Sequence, residues 1–173
     1  MIDYVDDFLT PQHCAALVRE FKEMPNLHER VDHGGLPTFT QLNMTANGLR
    51  PDLQQDVVNA VIGRVDKLRN IHPHLPRAEN FEQLRIKKYE AGSGDRFDTH
   101  VDVGNYASAR RYLAVQIYLN TVQKGGATEF VMNTIEPVVG RCLMFPPTWE
   151  YPHRGLPAVS EDKYILTTYL HYV

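Results

Sequence analysis

The chain has 173 residues, 43% of them hydrophobic and 23% charged, and a formal charge of −3. That length supports one domain with its own core, and the composition excludes a disordered chain. No Lys/Arg stripe marks a nucleic-acid binder, and no apolar run nears the ~20 residues of a membrane span. The expectation is a single domain over residues 1–173 that binds neither nucleic acid nor membrane. The opening MIDYVDDFL lacks the basic and apolar regions of a signal peptide. Cys14 and Cys142 are the two cysteines. Both fall in apolar patterns and read as buried free thiols, which suits a reducing, cytoplasmic setting.

In chain order, LTPQHCAALVREFKEMP begins with Thr10 as a candidate N-cap and Pro11 at the first helical position. Cys14, Leu17, Val18 and Phe21 then recur at the spacing of one buried helical face. The stretch HERVDHGGLPTFTQLNMTANG, with its Gly-Gly and Pro, reads as a mobile loop followed by one strand. A second helix is expected across DLQQDVVNAVIGRVDKLRNI, with Val57, Val58, Val61, Ile62, Val65 and Leu68 as its stripe. From about residue 82 the period becomes two. EQLRIKKYE, FDTHVD, RRYLAVQIYLN, ATEFVMN, GRCLMFPP, EYPHR and DKYILTTYLHYV are expected as strands, punctuated by glycine and proline. Many short strands at this spacing predict an all-β sandwich or barrel, with the two helices packed on the outer face of one sheet.

Within RFDTHVD, alternation sets Phe97, Thr99 and Val101 on one side and Asp98, His100 and Asp102 on the other. On its own this describes a half-exposed strand. His153, in WEYPHRG, stands on another short strand, and antiparallel barrels bring such distant strands face to face. Two histidines and one carboxylate on one face of a metal leave positions open, the arrangement of a non-haem Fe(II) oxygenase. Lys163 follows His153 by ten residues across the turn GLPAVSED. Its ammonium can point into the same cavity, where it needs an anion such as a dicarboxylate.

Together YEAGSGDRFDTHVD, RRYLAVQIYLN, KGGATEF, GRCLMFPP and HRGLPAVSEDKYILTTYL resemble the catalytic core of the prolyl 4-hydroxylases. These are Fe(II)- and 2-oxoglutarate-dependent dioxygenases. VDDFLTPQHCAALV resembles their N-terminal strand and helix. The resemblance implies a mainly β fold with flanking α-helices, a double-stranded β-helix (jelly-roll, cupin-like) core backed by N-terminal helices. It implies Fe(II), 2-oxoglutarate and O2 as cofactor and cosubstrates, with ascorbate beside them. His100, Asp102 and His153 match the iron ligands, and Lys163 the partner of the distal 2-oxoglutarate carboxylate. Tyr118 matches a tyrosine that reaches the same carboxylate, and Tyr89 one that lines the pocket near the metal. Thr128 and Thr167 match small polar residues of the channel, and Gln116 shares the face of Tyr118. Strand parity puts Lys163, Ile165, Thr167 and Tyr169 on one face; for Tyr112 and Tyr169 a core aromatic with a satisfied hydroxyl is the alternative.

The resemblance further implies a prolyl residue in a peptide or protein as substrate, with release of succinate and CO2. Arg111 matches a substrate-contacting position of some relatives, and Trp149, just before His153, is a candidate for the substrate mouth. The loop VDHGGLPTFT lies where relatives carry a flap over the peptide. The alternatives are the same chemistry on a free amino acid or another protein side chain, and a non-catalytic barrel. A nucleic-acid demethylase lacks its basic stripe here.

Overall fold

The computed structural model describes residues 1–34 and 37–172. Gly35 and Leu36, from the expected flap, lie outside the described residues, as does Val173. The elements run β1 (Asp3–Val5), α1 (Pro11–Glu23), β2 (Glu29–Asp32), β3 (Thr38–Asn43), α2 (Pro51–Arg69), β4 (Asn80–Phe81) and β5 (Arg85–Tyr89). They continue with β6 (Phe97–His100), β7 (Arg111–Tyr118), β8 (Thr128–Phe130), β9 (Thr134–Ile135), β10 (Cys142–Phe145), β11 (His153–Gly155) and β12 (Lys163–His171).

Among the described residues the larger sheet has the order β1-β10-β7-β12-β5-β3-β2, with β4 also on β12; the smaller has the order β6-β11-β8-β9. All these pairings are antiparallel. One face of the larger sheet buries Ile86, Leu113, Val115, Ile117, Met144 and Leu166 against the helices. Cys14, Leu17 and Phe21 of α1 and Val57, Val61, Val65 and Leu68 of α2 meet it there. The other face carries Tyr89, Ala114, Tyr118, Leu143, Phe145 and Ile165 and turns toward the smaller sheet. The helices therefore support the larger sheet from behind and leave its inner face for chemistry.

Local chemistry accounts for the helix start. The Thr10 side chain accepts a hydrogen bond from the His13 backbone N–H, and Pro11 occupies the first turn, where its missing N–H costs nothing. Both cysteines are free and buried, with the Cys14 thiol pushed up to about 11 by burial.

The sequence expectation fails at Glu29–Asp32. The stretch taken as a loop supplies β2, which pairs with β3 from Glu29↔Gln41 to Asp32↔Thr38. Its alternation is hidden because an edge strand carries charge on both faces. Glu29, Arg30 and Asp32 are exposed and only Val31 is half-buried.

Candidate metal centre

His100 and His153 are direct cross-strand partners on β6 and β11. The pairing is bulged. Gly155 faces Phe97 while His153 faces His100, so three steps on β6 oppose two on β11. The extra residue breaks the alternation, as a β-bulge does. Phe97 and His100 consequently share a face, and their rings stack with centroids 3.5 Å apart and 7° between planes. This corrects the expectation that they point to opposite sides. It also releases Asp98, which turns outward to an exposed pair with Arg96 at 2.7 Å.

Beyond the strand end, backbone N–H groups of Asp102 and Val103 both donate to the Pro147 carbonyl, at 3.1 and 3.0 Å, and fix the Asp102 backbone. Each imidazole is oriented through Nδ1: His100 to the Asp98 carbonyl at 2.7 Å, His153 to the Tyr151 carbonyl at 3.0 Å. A carbonyl only accepts, so both Nδ1 atoms carry the proton and both Nε2 atoms present lone pairs. Those Nε2 atoms lie 3.5 and 3.6 Å from the two Asp102 oxygens. One ligand atom from each of the three residues falls within 4.8 Å of the others. Burial disfavours the Asp102 carboxylate, but the two imidazoles and a hydroxyl outweigh it and hold its pKa below the ordinary value. Burial also pushes His153 below the ordinary histidine value, against the pull of Asp102, which favours the neutral, ligating form. Two freed imidazole nitrogens and an ionised carboxylate are a donor set that fits Fe(II) with positions left open.

The hydroxyl comes from Tyr169, which donates to Asp102 Oδ1 at 2.8 Å. Tyr169 packs against the inner core with its hydroxyl satisfied, and that hydroxyl falls on a ligand candidate; the Tyr112 hydroxyl donates instead to the Arg77 carbonyl at 2.9 Å. The Arg111 guanidinium lies 3.9 Å from the Tyr169 ring centroid. It donates to the Asp102 carbonyl at 3.0 Å and to both oxygens of Glu82 at 2.7 and 3.0 Å. His171 Nε2 meets Glu82 at 2.8 Å. Arg111, expected to contact substrate, also holds the backbone of the third metal-ligand candidate while lining the grooves beside it. Glu82, His171 and the bond of Tyr169 to Asp102 escaped the sequence reading because the partners lie 29 to 89 residues apart.

Behind the triad a cavity is lined by Lys163, Tyr89, Gln116, Thr128, Thr167 and Ile165 together with His100, Asp102 and His153. Lys163 is 1% exposed, donates to the Gly126 carbonyl at 3.0 Å and lies 4.3 Å from the Tyr89 ring centroid. No carboxylate of a described residue pairs with it, and burial pushes its pKa down to about 7. Gly126, at φ +75°, takes a conformation that suits only glycine readily. A Cβ at Gly155 would sit 3.6 Å from the ammonium, in the space beside it. A buried amine with no described carboxylate to pair it, a glycine-lined gap and a tyrosine ring make a pocket shaped for an anion.

Thr128 accepts from Gln116 Nε2 at 3.0 Å and from the Tyr118 hydroxyl at 2.7 Å. Tyr118 is fully buried with its hydroxyl turned to Thr128, one layer behind the lining rather than on it. Trp149 is 77% exposed and is not among the lining residues, so the structure does not place it at the site.

Residues 84–171 match the family described as the 2OG-Fe(II) oxygenase superfamily, a span of a little over half the chain that contains the triad and Lys163. Among curated proteins compared by sequence, none matches. Among solved structures, the viral collagen prolyl hydroxylase of Paramecium Bursaria Chlorella virus-1 superposes with a TM-score of 0.73 at 21% identity, over 99% of this chain and 96% of that one. A Pseudomonas putida prolyl-4-hydroxylase gives 0.76 at 18% identity over 99% and 92%. A Trichoplax adhaerens prolyl hydroxylase, solved with a hypoxia inducible factor oxygen degradation domain peptide fragment, gives 0.74 at 17% over 98% and 83%. These likenesses establish the double-stranded β-helix fold. The matched span adds the chemistry: the chain belongs to the 2OG-Fe(II) oxygenase superfamily, whose reactions use Fe(II), 2-oxoglutarate and O2.

Proposed function

We propose that the chain is a prolyl hydroxylase acting on a peptide or protein, with His100, Asp102 and His153 as the Fe(II) ligands. The observation that carries the reading is the pairing, in one cavity, of an open His-Asp-His face with a buried Lys163 that no described carboxylate pairs. Fe(II) with 2-oxoglutarate and O2 supplies oxidative decarboxylation coupled to oxygen insertion into a C–H bond, releasing succinate and CO2. The chain's own residues do the positioning. Lys163 binds the far carboxylate of 2-oxoglutarate, and Tyr89, Gln116, Thr128 and Thr167 shape its channel. Tyr118 steadies Thr128 from behind. Tyr169 and Arg111 hold Asp102 in place. Prolyl specificity is supported by the solved structures of like fold, each named as a prolyl hydroxylase.

The test is mass spectrometry of proline-containing peptides after incubation with Fe(II) and 2-oxoglutarate. A gain of one oxygen on proline, matched by succinate and absent with His153→Ala, is expected. Oxygen gained by free proline alone, or on a residue other than proline, overturns the peptidyl-prolyl reading.

A further inference from the structure

Lys87 is a second cation at the site that the chemistry above does not use. On β5, Arg85, Lys87 and Tyr89 share the inner face, while Ile86 packs against the helices and Lys88 pairs with Asp162. Lys87 lines the metal cavity, and with Phe97, Thr167 and Tyr169 it also lines a groove that opens outward past Phe39 and Arg85. It stands where cavity and groove meet. Its ammonium lies 4.9 Å from the Phe39 ring centroid. The carboxylates that bear on it are Asp102 and Glu82, and the cations are Arg85 and Arg111. Asp102 faces the imidazoles and Tyr169, and Glu82 is held by Arg111 and His171, so neither is free to pair with it. Arg85 donates to Gln83, a neutral amide, at 2.6 Å. The inner face of β5 thus presents two cations, neither in an ion pair with a described carboxylate, along the route from surface to metal.

A bound Fe(II) would add positive charge beside Lys87, strengthening the demand for an anion. Lys163 answers the cosubstrate and lies deeper, next to Tyr89. We infer that Lys87 is a specificity residue that binds a carboxylate of the substrate, from an acidic side chain flanking the oxidised residue or from the α-carboxylate of a chain-terminal one. This rests on the assignment of the cavity to oxidation of a peptide.

The test is anaerobic binding of labelled hexapeptides to the protein loaded with Fe(II) and 2-oxoglutarate, read by fluorescence anisotropy. Peptides differ in Glu or Gln beside proline, in a free or amidated C-terminus after proline, and in alanine for proline. Wild type should bind one acid form about tenfold tighter than its amide, the scale of a charge-assisted contact. That ratio should fall to about one in Lys87→Met, persist in Lys87→Arg and invert in Lys87→Glu. Whichever acid–amide pair responds identifies the source of the carboxylate. No acid preference in wild type (absence of binding included), a preference that survives Lys87→Met, or a loss of 2-oxoglutarate binding as large as that of peptide would overturn the inference. Failure of the prolyl reading looks different: alanine replaces proline without loss, while the acid preference and its dependence on Lys87 remain.

Discussion

The Phe97 ring lies flat on the His100 imidazole, 3.5 Å between centroids, while the His153 ring stands tilted at 57° with its centroid 4.3 Å from that of His100. The stack and the Nδ1 bond to Asp98 leave His100 one orientation, with Nε2 toward Asp102. Phe97→Ala should loosen the ring and lower metal affinity by up to about tenfold, since aromatic pairs contribute ~0.5–1.5 kcal/mol beyond burial. Phe97→Tyr, which keeps the stack, should be close to wild type. Metal titration of both variants checks this; equal affinity in Phe97→Ala means that the stack does not orient the ligand.

Tyr169→Phe separates two roles of one side chain. The ring remains against Arg111, but the hydrogen bond to Asp102 is lost. Groups that orient a ligand carboxylate typically contribute 10–100-fold to metal affinity. A loss of about that size is expected, with the unfolding midpoint nearly unchanged. Wild-type metal affinity in this variant would mean that the Tyr169 hydroxyl does not support Asp102.

How far the site could be read in advance follows from what holds it. The candidate triad was legible through the family resemblance, which joins the His-x-Asp of RFDTHVD to His153 and to Lys163 ten residues on; the spacing of His100 and Asp102 alone describes a half-exposed strand as well. Lys163, Ile165, Thr167 and Tyr169 do line one cavity, as strand alternation requires. The helices were equally legible, since a 3.6-residue stripe needs no knowledge of its partner. The bulge at β6 was not, because it is defined by the strand opposite, and nothing in RFDTHVD distinguishes it from regular alternation. Glu82, Arg111, Tyr169 and His171 form one network only after β12 has paired with β7. The edge strand β2 was missed because exposure on both faces erases the period that marks a strand.

Arg111→Lys tests whether Arg111 supports the metal centre or reads substrate. Lysine keeps the charge but loses the fork on Glu82 and most of the stacking on Tyr169. The pair is partly exposed, with side chains at 23% and 16%, so the loss should be roughly 2 kcal/mol, below that of a fully buried pair. Urea unfolding should show that loss together with weaker metal binding. A rise in peptide KM with stability and metal binding intact would instead assign Arg111 to substrate contact.

Lys163 gives the site a pH dependence with a definite sign. In the folded, ligand-free protein its amine titrates at about 7, against 10.5 for an unperturbed lysine, because burial penalises the charge. Between those values the unfolded chain holds a proton that the folded one has released, so stability rises with pH across the window. Below about 7 the ammonium is charged in both states and its desolvation weighs fully against folding. Lys87, lowered to about 8 by burial, adds to the same slope. Lys163→Met should therefore raise the ligand-free Tm at pH 7 and flatten its rise toward alkaline pH. The cosubstrate reverses the preference, because its far carboxylate needs the ammonium. Binding 2-oxoglutarate above pH 7 should then take up a proton, and affinity should fall as pH rises. Calorimetry in two buffers of different ionisation enthalpy measures that uptake directly. In turnover, Lys163→Met should raise KM for 2-oxoglutarate far more than it lowers kcat, as expected when ground-state binding is removed. An unchanged KM, or binding without proton uptake above pH 7, would mean that the buried cation of this cavity serves some other anion.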